Sequence, residues 1–248
     1  MSELFFERIY MADKLTIIED EGAEQLAREG EFELAIPFSL YLYNDGGIRI
    51  NVFPSLKKDA EEFLSLFPDD RMFSPEALGW ARERFGGAIS AEGYTTEDTD
   101  VFFYDYLVKG ADRSLILPET FRVCGSEEAE NLTGYDFGYM TNYGHVCFAA
   151  EVDGKIVAAA CTNYPVLLAD DQDDRRVEIG VETSPEYRRR GYGISCAAAL
   201  VNELVAQGFE VLYECGSDNP ASVALVDRLG GSVFAKNFCV VGRKETDE

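Results

Sequence analysis

Three consecutive arginines are followed by two closely spaced glycines in the run from Arg188 to Gly193. The run lies between a strand-like segment that ends at Thr183 and a helix-like segment that continues to Val205. Glycine lets the backbone come close to a bulky anion, and the first N–H groups of a helix lack partners within that helix. In a chain whose net charge is −24, three adjacent cations also need an explanation. The run is therefore a candidate site for a ligand that carries a pyrophosphate. The alternative interpretation is a solvent-exposed basic turn with a glycine at the helix start.

Two glutamates precede this run in the strand-like segment. Glu178 and Glu182 alternate with the apolar residues Val177, Ile179 and Val181, which predicts a strand with both carboxylates on one face. If the strand is central in its sheet, helices or loops cover both of its faces, and a carboxylate there needs a wet cavity or a partner. The two acids are candidates for a general base, and a simply solvated face is the alternative.

The composition is that of a globular protein with a strongly acidic surface. The chain has 248 residues, with 46 acidic and 22 basic side chains. This balance argues against general binding of nucleic acids, which requires a basic face. It could steer a cationic substrate towards a site, but solubility is the simpler consequence. No apolar run approaches the roughly 20 residues of a membrane helix, and the charged start of the chain does not resemble a signal peptide, so we expect a cytoplasmic protein.

Metal ions and the common nucleophilic mechanisms find little support in the sequence. The six cysteines include no C-x-x-C pair, and His145 is the only histidine, so neither a zinc site nor a Ser-His-Asp triad is expected. We interpret the acidic cluster 170–174 as an exposed loop rather than a metal site. Cys196 and Cys215 lie close to the candidate anion site, but we expect both to be buried, unreactive thiols.

The segments around these residues predict a mixed sheet. The predicted elements are a strand over 175–183, a helix over 191–207, a strand over 209–215, and a helix that begins at Asn219-Pro220 and ends at 230–231. A strand–helix–strand crossover implies parallel neighbours. By contrast, the Asp153-Gly154 pair between the apolar runs 145–152 and 155–161 predicts an antiparallel hairpin.

The first part of the chain is predicted to form an added lobe. Its predicted elements are a hairpin of strands 40–43 and 48–53, a helix over 57–67, and a helix over 74–85 capped by Ser74. The end of the chain, 232–235 and 237–242, is predicted to form a closing pair of strands. With the connector 109–112 as the boundary, we expect an accessory lobe in 1–110 and a catalytic domain in 111–248.

The segment from Val181 to Gly193 resembles the acetyl-CoA motif of the GNAT superfamily of N-acetyltransferases, which is a hydrophobic strand, a proline turn and Arg/Gln-x-x-Gly-x-Gly/Ala at a helix start. The second family motif, a strand followed by Asn-x-x-Ala/Ser and a helix that ends in Leu-Gly, is matched by 213–215, Asn219, Ser222 and 229–230. The layout of the whole chain resembles a bacterial two-part subgroup. The resemblance implies an α/β (α+β) fold, with a mixed, splayed sheet flanked by helices and an additional N-terminal α/β lobe.

The resemblance also implies acetyl-CoA as the cosubstrate and no metal. Main-chain groups of Val181 and Thr183 would pair with the pantetheine arm and the thioester, provided that the strands at Val181 and Cys215 splay apart. Asn219 would contact the arm near its sulfur. The residues implied to bind the coenzyme are Val181, Thr183, Arg188, Arg189, Arg190, Gly191, Tyr192, Gly193, Asn219 and Ser222.

The implied reaction is direct attack of an amine on the thioester inside a ternary complex. The amine must be neutral, so a base must remove its proton. We favour Glu178 over Glu182 because Glu178 lies farther from the pyrophosphate turn. The tyrosine that commonly protonates the leaving thiolate in this family is replaced by Val226. Tyr213 is a candidate substitute if its side chain faces the cleft, with packing in the core or protonation by solvent as alternatives.

We therefore expect an N-acetyltransferase that acts on a primary amine, either a small molecule or a peptide, with a cationic acceptor favoured by the acidic composition. A monomer or homodimer that binds neither nucleic acids nor membranes fits this expectation. The missing tyrosine keeps open a non-catalytic protein that binds or senses acyl-CoA. The acidic N-terminal lobe keeps open a protein-interaction module.

Overall fold

The structure, a computed structural model, describes residues 15–30, 33–97, 101–124, 135–166 and 175–244. The chain divides into two compact units. The N-terminal unit contains the described residues up to Tyr104, together with Gly216–Asp218 and the described part of Phe234–Glu248. The central unit contains Asp105–Cys215 and Asn219–Val233, as far as they are described. The sequence-based boundary near residue 110, between an accessory lobe and a catalytic domain, stays a prediction.

Strands and helices occur in both units. The strands are β1 (Leu15–Glu19), β2 (Leu34–Tyr43), β3 (Ile48–Val52), β4 (Thr95–Thr96), β5 (Phe103–Val108), β6 (Thr120–Arg122), β7 (Cys147–Val152), β8 (Lys155–Thr162), β9 (Arg176–Thr183), β10 (Glu210–Gly216) and β11 (Ser232–Arg243). The helices are α1 (Glu21–Glu29), α2 (Lys57–Leu66), α3 (Pro75–Ala81), α4 (Gly87–Ser90), α5 (Phe137–Asn142), α6 (Tyr192–Ala206) and α7 (Pro220–Arg228).

The sheet of the N-terminal unit has the strand order β1-β3-β2-β11, and β4 pairs with β11. β1 and β3 are parallel, whereas β2 is antiparallel to both β3 and β11. The predicted hairpin is confirmed as β2 and β3, and its turn is held by a hydrogen bond of 2.9 Å from Gly47 N to Asp45 Oδ1. The core beneath this sheet is aromatic, since the buried rings of Phe38 and Phe85 stack with their centroids 4.1 Å apart.

The two helices predicted for this unit are confirmed. α2 corresponds to the predicted helix over 57–67. Ser74 caps α3 by accepting a hydrogen bond of 3.2 Å from Ala77 N, as its position before a first-turn proline predicts. The helical path continues through a π-helical turn, Arg82–Gly86, into α4, so it extends beyond the predicted end at Phe85.

The end of the chain forms one strand rather than two. β11 is continuous from Ser232 to Arg243, so the predicted pair of strands over 232–235 and 237–242 is wrong. The polar residues Lys236 and Asn237 occupy the position where a turn would be needed, but both pair with β2 instead. Pairing with a neighbouring strand therefore overrides the local preference of this polar pair for a turn.

The central unit contains a mixed sheet with the strand order β5-β10-β9-β8-β7-β6. β9 and β10 are parallel, and the neighbours from β9 to β6 are antiparallel. The predicted hairpin of β7 and β8 is confirmed, and its turn residues Asp153 and Gly154 both have positive φ angles, of 52° and 74°. α6 packs on β7, β8 and β9 through buried small residues such as Ala197 and Ala198. The prediction of a mixed α/β sheet flanked by helices is thus confirmed.

The described helices include none that is both long and apolar enough to cross a membrane. Among the same residues, no cluster of three or more His, Cys, Asp or Glu side chains could hold a metal ion. The acidic cluster 170–174, which the sequence analysis interprets as an exposed loop, lies outside the described residues.

Candidate active site

The two parallel strands of the central unit part towards their carboxyl ends. β9 and β10 are in register only where Arg176, Val177 and Glu178 lie opposite Glu210, Val211 and Leu212. Both strands then continue, β9 to Thr183 and β10 to Gly216, and within the described residues these continuations do not pair with each other. The predicted splay of the strands at Val181 and Cys215 is therefore present.

The main chain of Val181 and Thr183 faces this gap. Glu178 O accepts a hydrogen bond of 2.9 Å from Asn163 N, and Ser184 N donates one of 2.9 Å to Val157 O. Both bonds run to the β8 side, so the even-numbered residues of β9 direct their N–H and C=O groups towards β8. Because alternate residues of a strand point their main-chain groups in opposite directions, Val181 and Thr183 direct theirs to the opened side.

The turn that follows β9 leads into an uncapped helix start. Pro185–Tyr187 form one turn of 3-10 helix, and Arg189 and Gly191 have positive φ angles of 61° and 94°. The first bond of α6 runs from Ser195 N to Gly191 O (3.0 Å). No described side chain caps this helix, which begins at Tyr192. Its first-turn N–H groups can therefore bind an anion from outside the helix.

Gly193 brings the start of α6 against the end of β9. A Cβ atom at this position would lie 2.5 Å from Thr183 Oγ1 and 3.5 Å from Val181 Cγ1. The first distance is too short for two non-bonded atoms, so a side chain here would force the helix and the strand apart. The absence of a side chain at Gly193 therefore places the turn 188–193 next to the main-chain groups that face the gap.

The three arginines of the turn are exposed, and two of them have defined contacts. Arg188 Nε donates a hydrogen bond of 3.2 Å to Thr183 O, which ties the turn to β9. The guanidinium of Arg190 lies 5.1 Å from the centre of the Tyr187 ring, and the Tyr192 ring packs edge-on against the same ring. The positive charges are therefore held beside the helix start, where both features favour an anion.

Ser195, in the first turn of α6, connects this helix start to the segment 117–120. It is fully buried, and its Oγ accepts a hydrogen bond of 2.7 Å from Leu117 N and lies 2.5 Å from Thr120 Oγ1. The sequence analysis did not single out this residue. A serine in a helical run gives no signal by itself, because its partners lie about 75 residues away in the chain.

Glu178 is partly buried on the face of β9 opposite α6, and its side chain has one defined partner. Asn163 Nδ2 donates a hydrogen bond of 2.7 Å to Glu178 Oε1. Burial raises the pKa of the Glu178 carboxyl to about 7, and the negative charge of Glu214 on β10 adds to the increase. The hydrogen bond from Asn163 acts in the opposite direction, because it favours the charged form. A carboxyl that titrates near neutral pH suits a general base.

Glu182 shares this face with Glu178, since the two residues are separated by an even number of positions in β9. Tyr135 also lies on this side: its hydroxyl would be 3.0 Å from a Cβ atom at Gly180. Burial is the main cause that raises the pKa of Tyr135, and the charge of Glu182 contributes. The structure therefore places the two predicted acids on one face of β9, with Tyr135, which carries no signal in the sequence, beside Gly180 between them.

Tyr213 lies on the other face of the sheet. Leu212 is the register partner of Glu178, so the next residue along β10 points away from the Glu178 side. The Tyr213 ring is 6% exposed, and its hydroxyl lies 2.7 Å from Ser222 Oγ. Burial raises the pKa of this phenol, and the contact with Ser222 opposes the change. The Tyr213 hydroxyl is therefore protonated at neutral pH and lies at the start of α7.

Asn219 and Ser222 form the first turn of α7. Asn219 is the N-cap, and its Oδ1 accepts a hydrogen bond of 3.1 Å from Ser222 N, as predicted for a helix that opens with Asn-Pro. Val226, at the position of the usual family tyrosine, is fully buried and packs in the core. This helix therefore carries no phenol at that position.

The cysteines near the site are unsuited to nucleophilic catalysis. Cys196 and Cys215 are buried, free thiols. Burial raises the pKa of Cys196 to about 12 and that of Cys215 to about 11, so neither forms a thiolate at neutral pH. His145 Nδ1 lies 2.7 Å from Thr162 O, which occupies one ring nitrogen in a structural contact at the start of β7.

About half of the chain matches a known protein family. Residues 112–230 match the model of the Acetyltransferase (GNAT) family. This match confirms the family resemblance, whereas the two-part subgroup stays a prediction. Among curated proteins, none matches the sequence significantly.

Solved structures of the same family align with the chain at low sequence identity. A GNAT-family acetyltransferase from Novosphingobium aromaticivorans is 20% identical, with 62% of this chain and 69% of that chain covered and a TM-score of 0.47. A GCN5-related N-acetyltransferase from Kribbella flavida is 16% identical over 69% of this chain and 76% of that chain, with a TM-score of 0.44. A GNAT-family acetyltransferase from Colwellia psychrerythraea is 15% identical over 72% and 75%, with a TM-score of 0.41. All three TM-scores are below 0.5.

Proposed function

Because the chain contains a GNAT-family acetyltransferase domain in residues 112–230, we propose that it transfers an acetyl group from acetyl-CoA to a primary amine. One observation carries this proposal: the gap between β9 and β10 leads directly to the uncapped start of α6. The gap offers strand-like hydrogen bonds to an extended arm, and the helix start offers N–H groups and positive charge to a pyrophosphate. Acetyl-CoA has these two parts in this order.

The residues present fit acetyl-CoA as the cosubstrate. The main chain from Arg189 to Gly193 would hold the pyrophosphate, with the three arginines adding positive charge. Val181 and Thr183 would pair with the pantetheine arm and the thioester, since their main-chain groups face the gap. Arg188 already donates to Thr183 O, so this side chain must move if the arm uses that carbonyl.

Glu178 would act as the general base of the reaction. The acceptor enters as an ammonium ion and loses one proton to the carboxylate, directly or through water. The neutral nitrogen then attacks the thioester carbonyl, a C–N bond forms, and the C–S bond breaks to release the thiolate of coenzyme A. The nitrogen loses its second proton to solvent, and this proton balances the one that the thiolate takes up. A pKa of about 7 makes the Glu178 carboxyl basic enough to accept the proton, while half of it is already ionised at neutral pH. Glu182, on the same face, is the second candidate.

Tyr213 would protonate the leaving thiolate in place of the missing family tyrosine. Its raised pKa keeps the hydroxyl protonated, and the contact with Ser222 places it at the start of α7. Asn219, in the same helical turn, is the residue that the family resemblance places near the sulfur. Protonation by solvent is the alternative. It would apply if the nearly buried Tyr213 side chain does not reach the sulfur of the thioester.

The acceptor would be a cationic amine. Glu178, Glu182 and Glu214 lie on one face of neighbouring strands, and the chain as a whole carries a net charge of −24. This face attracts positive charge, and the field of the protein adds to the attraction. The reaction would suit a reducing compartment such as the cytoplasm, since all six cysteines are free thiols.

Initial-rate kinetics with a panel of amines tests the proposal. The amines should include a polyamine, a lysine-containing peptide and a neutral or anionic control amine, and the release of the free thiol of coenzyme A should be followed. We expect release that depends on the amine, and intersecting double-reciprocal lines when both substrates are varied. Parallel lines would indicate a covalent acetyl-enzyme and would contradict direct attack.

One observation favours a second candidate function, a protein that binds acyl-CoA without turnover. The position of the usual family acid is filled by Val226, which is fully buried. Binding of acetyl-CoA without acetylation of any amine in the panel would support this alternative, and acetylation of any one amine would exclude it.

A further inference from the structure

Asn163 contacts Glu178 through both its main chain and its side chain. Asn163 directly follows β8, and its N–H donates a hydrogen bond of 2.9 Å to Glu178 O. Its side-chain amide donates a second bond of 2.7 Å to Glu178 Oε1. A residue that holds both the backbone and the carboxylate of the same glutamate restricts the rotamers that the glutamate side chain can adopt.

The next residue, Tyr164, binds the same edge of β9 at the residues just before and at Glu178. Its hydroxyl donates a hydrogen bond of 3.0 Å to Arg176 O and accepts one of 3.2 Å from Glu178 N. The two consecutive residues after β8 therefore fix the strand around Glu178. Of these contacts, only the bond from Asn163 Nδ2 reaches the group of Glu178 that titrates, its carboxyl.

Gly180 provides the space that the Asn163 side chain needs. A Cβ atom at Gly180 would lie 2.9 Å from Asn163 Oδ1 and 3.0 Å from Tyr135 Oη. The backbone of Gly180 does not have a positive φ angle, so the reason for a glycine here is space rather than conformation. A methyl group at this position would push the Asn163 amide away from Glu178.

Several charged or titratable groups lie near Glu178 on its own strand and on the surrounding elements. Glu214 on β10 opposes ionisation through its like charge, and Glu182 lies on the same face of β9. The Tyr164 hydroxyl, after β8, binds the Glu178 N–H, and the Tyr135 hydroxyl, before α5, lies beside Gly180. The guanidinium of Arg176 forms an ion pair with the Glu210 carboxylate at 3.0 Å. The Asn163 amide is thus a neutral donor to a carboxylate that is partly buried and repelled by the charge of Glu214.

We propose that Asn163 is a positioning residue of the active site, which holds the Glu178 carboxylate in one orientation for proton transfer and depends on Gly180 for the space to do so. The inference rests on the proposed function for the role of Glu178 as the base. The hydrogen bond from Asn163 itself is a property of the folded protein and can be measured without any substrate.

The test combines a direct titration with kinetics on the full-length protein. The carboxyl of Glu178 is followed by ¹³C NMR as a function of pH and assigned by its absence in Glu178→Gln. In Asn163→Ala, we expect the midpoint to move upward from its value near 7 by about half a unit to one unit, because a donor to the charged form is lost. The pH dependence of kcat/KM should move by the same amount, with the KM for acetyl-CoA unchanged.

Two further variants keep the test decisive if Asn163→Ala folds poorly. Asn163→Asp retains the shape of the side chain but places a negative charge next to Glu178, so the midpoint should rise by more than in Asn163→Ala. Gly180→Ala should raise it through displacement of the amide. The shifts of Gly180→Ala and Asn163→Ala should not add in the double variant, because both remove the same contact.

Asn51→Ala is the matched control, since its side-chain amide also donates to one partner, Ser39 Oγ at 2.9 Å, but in the N-terminal unit. It should lower the unfolding temperature without moving the Glu178 titration. An unchanged titration in Asn163→Ala would overturn the inference, whatever the kinetics show. Full activity of Glu178→Gln would remove Glu178 as the base, and with it the catalytic role of Asn163, while the NMR shift would still report the contact.

Discussion

Gly193 of α6 and Thr183 of β9 are so close that a Cβ atom on the glycine would lie 2.5 Å from the threonine Oγ1. This relationship joins the two halves of the proposed acetyl-CoA site, the strand that faces the gap and the helix start that faces the pyrophosphate. In Gly193→Ala, the added methyl group must separate them, so we expect the affinity for acetyl-CoA to fall by about tenfold or more, which corresponds to about 1.4 kcal/mol. Isothermal titration calorimetry measures this loss directly.

Gly87→Ala serves as the control for this change. Gly87 begins α4 with a φ angle of −57°, which any residue can adopt. A Cβ atom there would meet nothing within 4 Å. The substitution should leave acetyl-CoA binding unchanged and keep or slightly raise stability, because alanine restricts the unfolded chain. Equal affinities of Gly193→Ala and the wild type would show that the contact with Thr183 does not position the site.

The positive charge of the arginine turn should increase the affinity for acetyl-CoA, and this effect should weaken as the salt concentration rises. Arg190→Glu reverses a positive charge next to the proposed pyrophosphate site, so we expect weaker binding of acetyl-CoA at low ionic strength and a smaller difference at 0.5 M salt. Lys155→Glu, in the hairpin of β7 and β8, makes the same change in net charge at another exposed position. If both variants lose affinity equally, the effect comes from the overall charge and not from the turn.

Activity should rise with pH through the titration of Glu178. Only the ionised carboxylate can accept a proton, and its pKa is raised to about 7, so kcat/KM should increase between about pH 6 and pH 8 and then level off. Glu178→Gln should lose this rise and reduce kcat by about 10²- to 10⁴-fold. A pH profile that keeps its midpoint in Glu178→Gln would assign the base to another group, with Glu182 the next to be tested.

The same group should also make stability depend on pH. The folded pKa of Glu178 exceeds its ordinary value of 4.5, so between about pH 4.5 and pH 7 the folded state binds more protons than the unfolded state. The stabilising contribution of this carboxyl is therefore complete below pH 4.5 and is lost as the pH rises through 7. In Glu178→Gln, the free energy of unfolding should fall less between pH 5 and pH 8 than in the wild type, as urea unfolding at both pH values would show.

Tyr213→Phe tests the proposed donor of the leaving-group proton. Removal of the hydroxyl should lower kcat by about tenfold or more and leave the affinity for acetyl-CoA unchanged, because general acid catalysis commonly contributes 10²-fold or more. Ser222→Ala retains the phenol and removes its partner at 2.7 Å, so it should lower kcat less than Tyr213→Phe does. Similar kcat values for Tyr213→Phe and the wild type would assign the proton to solvent.

The elements that carry the anion site could be predicted from the sequence because their signals are local. The alternation in β9, the Arg-x-x-Gly-x-Gly run and the helical spacing after Gly191 each depend on neighbouring residues. The Asp153-Gly154 turn likewise specifies its hairpin. In each of these segments the local preference and the final structure agree.

The contacts around Glu178 could not be predicted, because they depend on strand register over a long connection. Because more than ten residues separate Thr162 from Arg176 in the sequence, the sequence leaves open which residue at the end of β8 lies opposite Glu178. Only the pairing of β8 with β9 brings Asn163 to this position and gives Gly180 its role. For the same reason β11 was predicted as two strands, since its pairing with β2 is not visible in the local sequence.

Transfer of isotopically labelled acetyl from acetyl-CoA to a cationic amine, measured side by side for the wild type and Gly193→Asp, tests the central claim most directly. We expect the wild type to form the acetylated amine and one equivalent of free coenzyme A, and Gly193→Asp, whose carboxylate would occupy the anion site, to form neither at the same concentration. Acetyl-CoA that binds the wild type but never passes its acetyl group to an amine would contradict the claim and would identify the protein as a binding module.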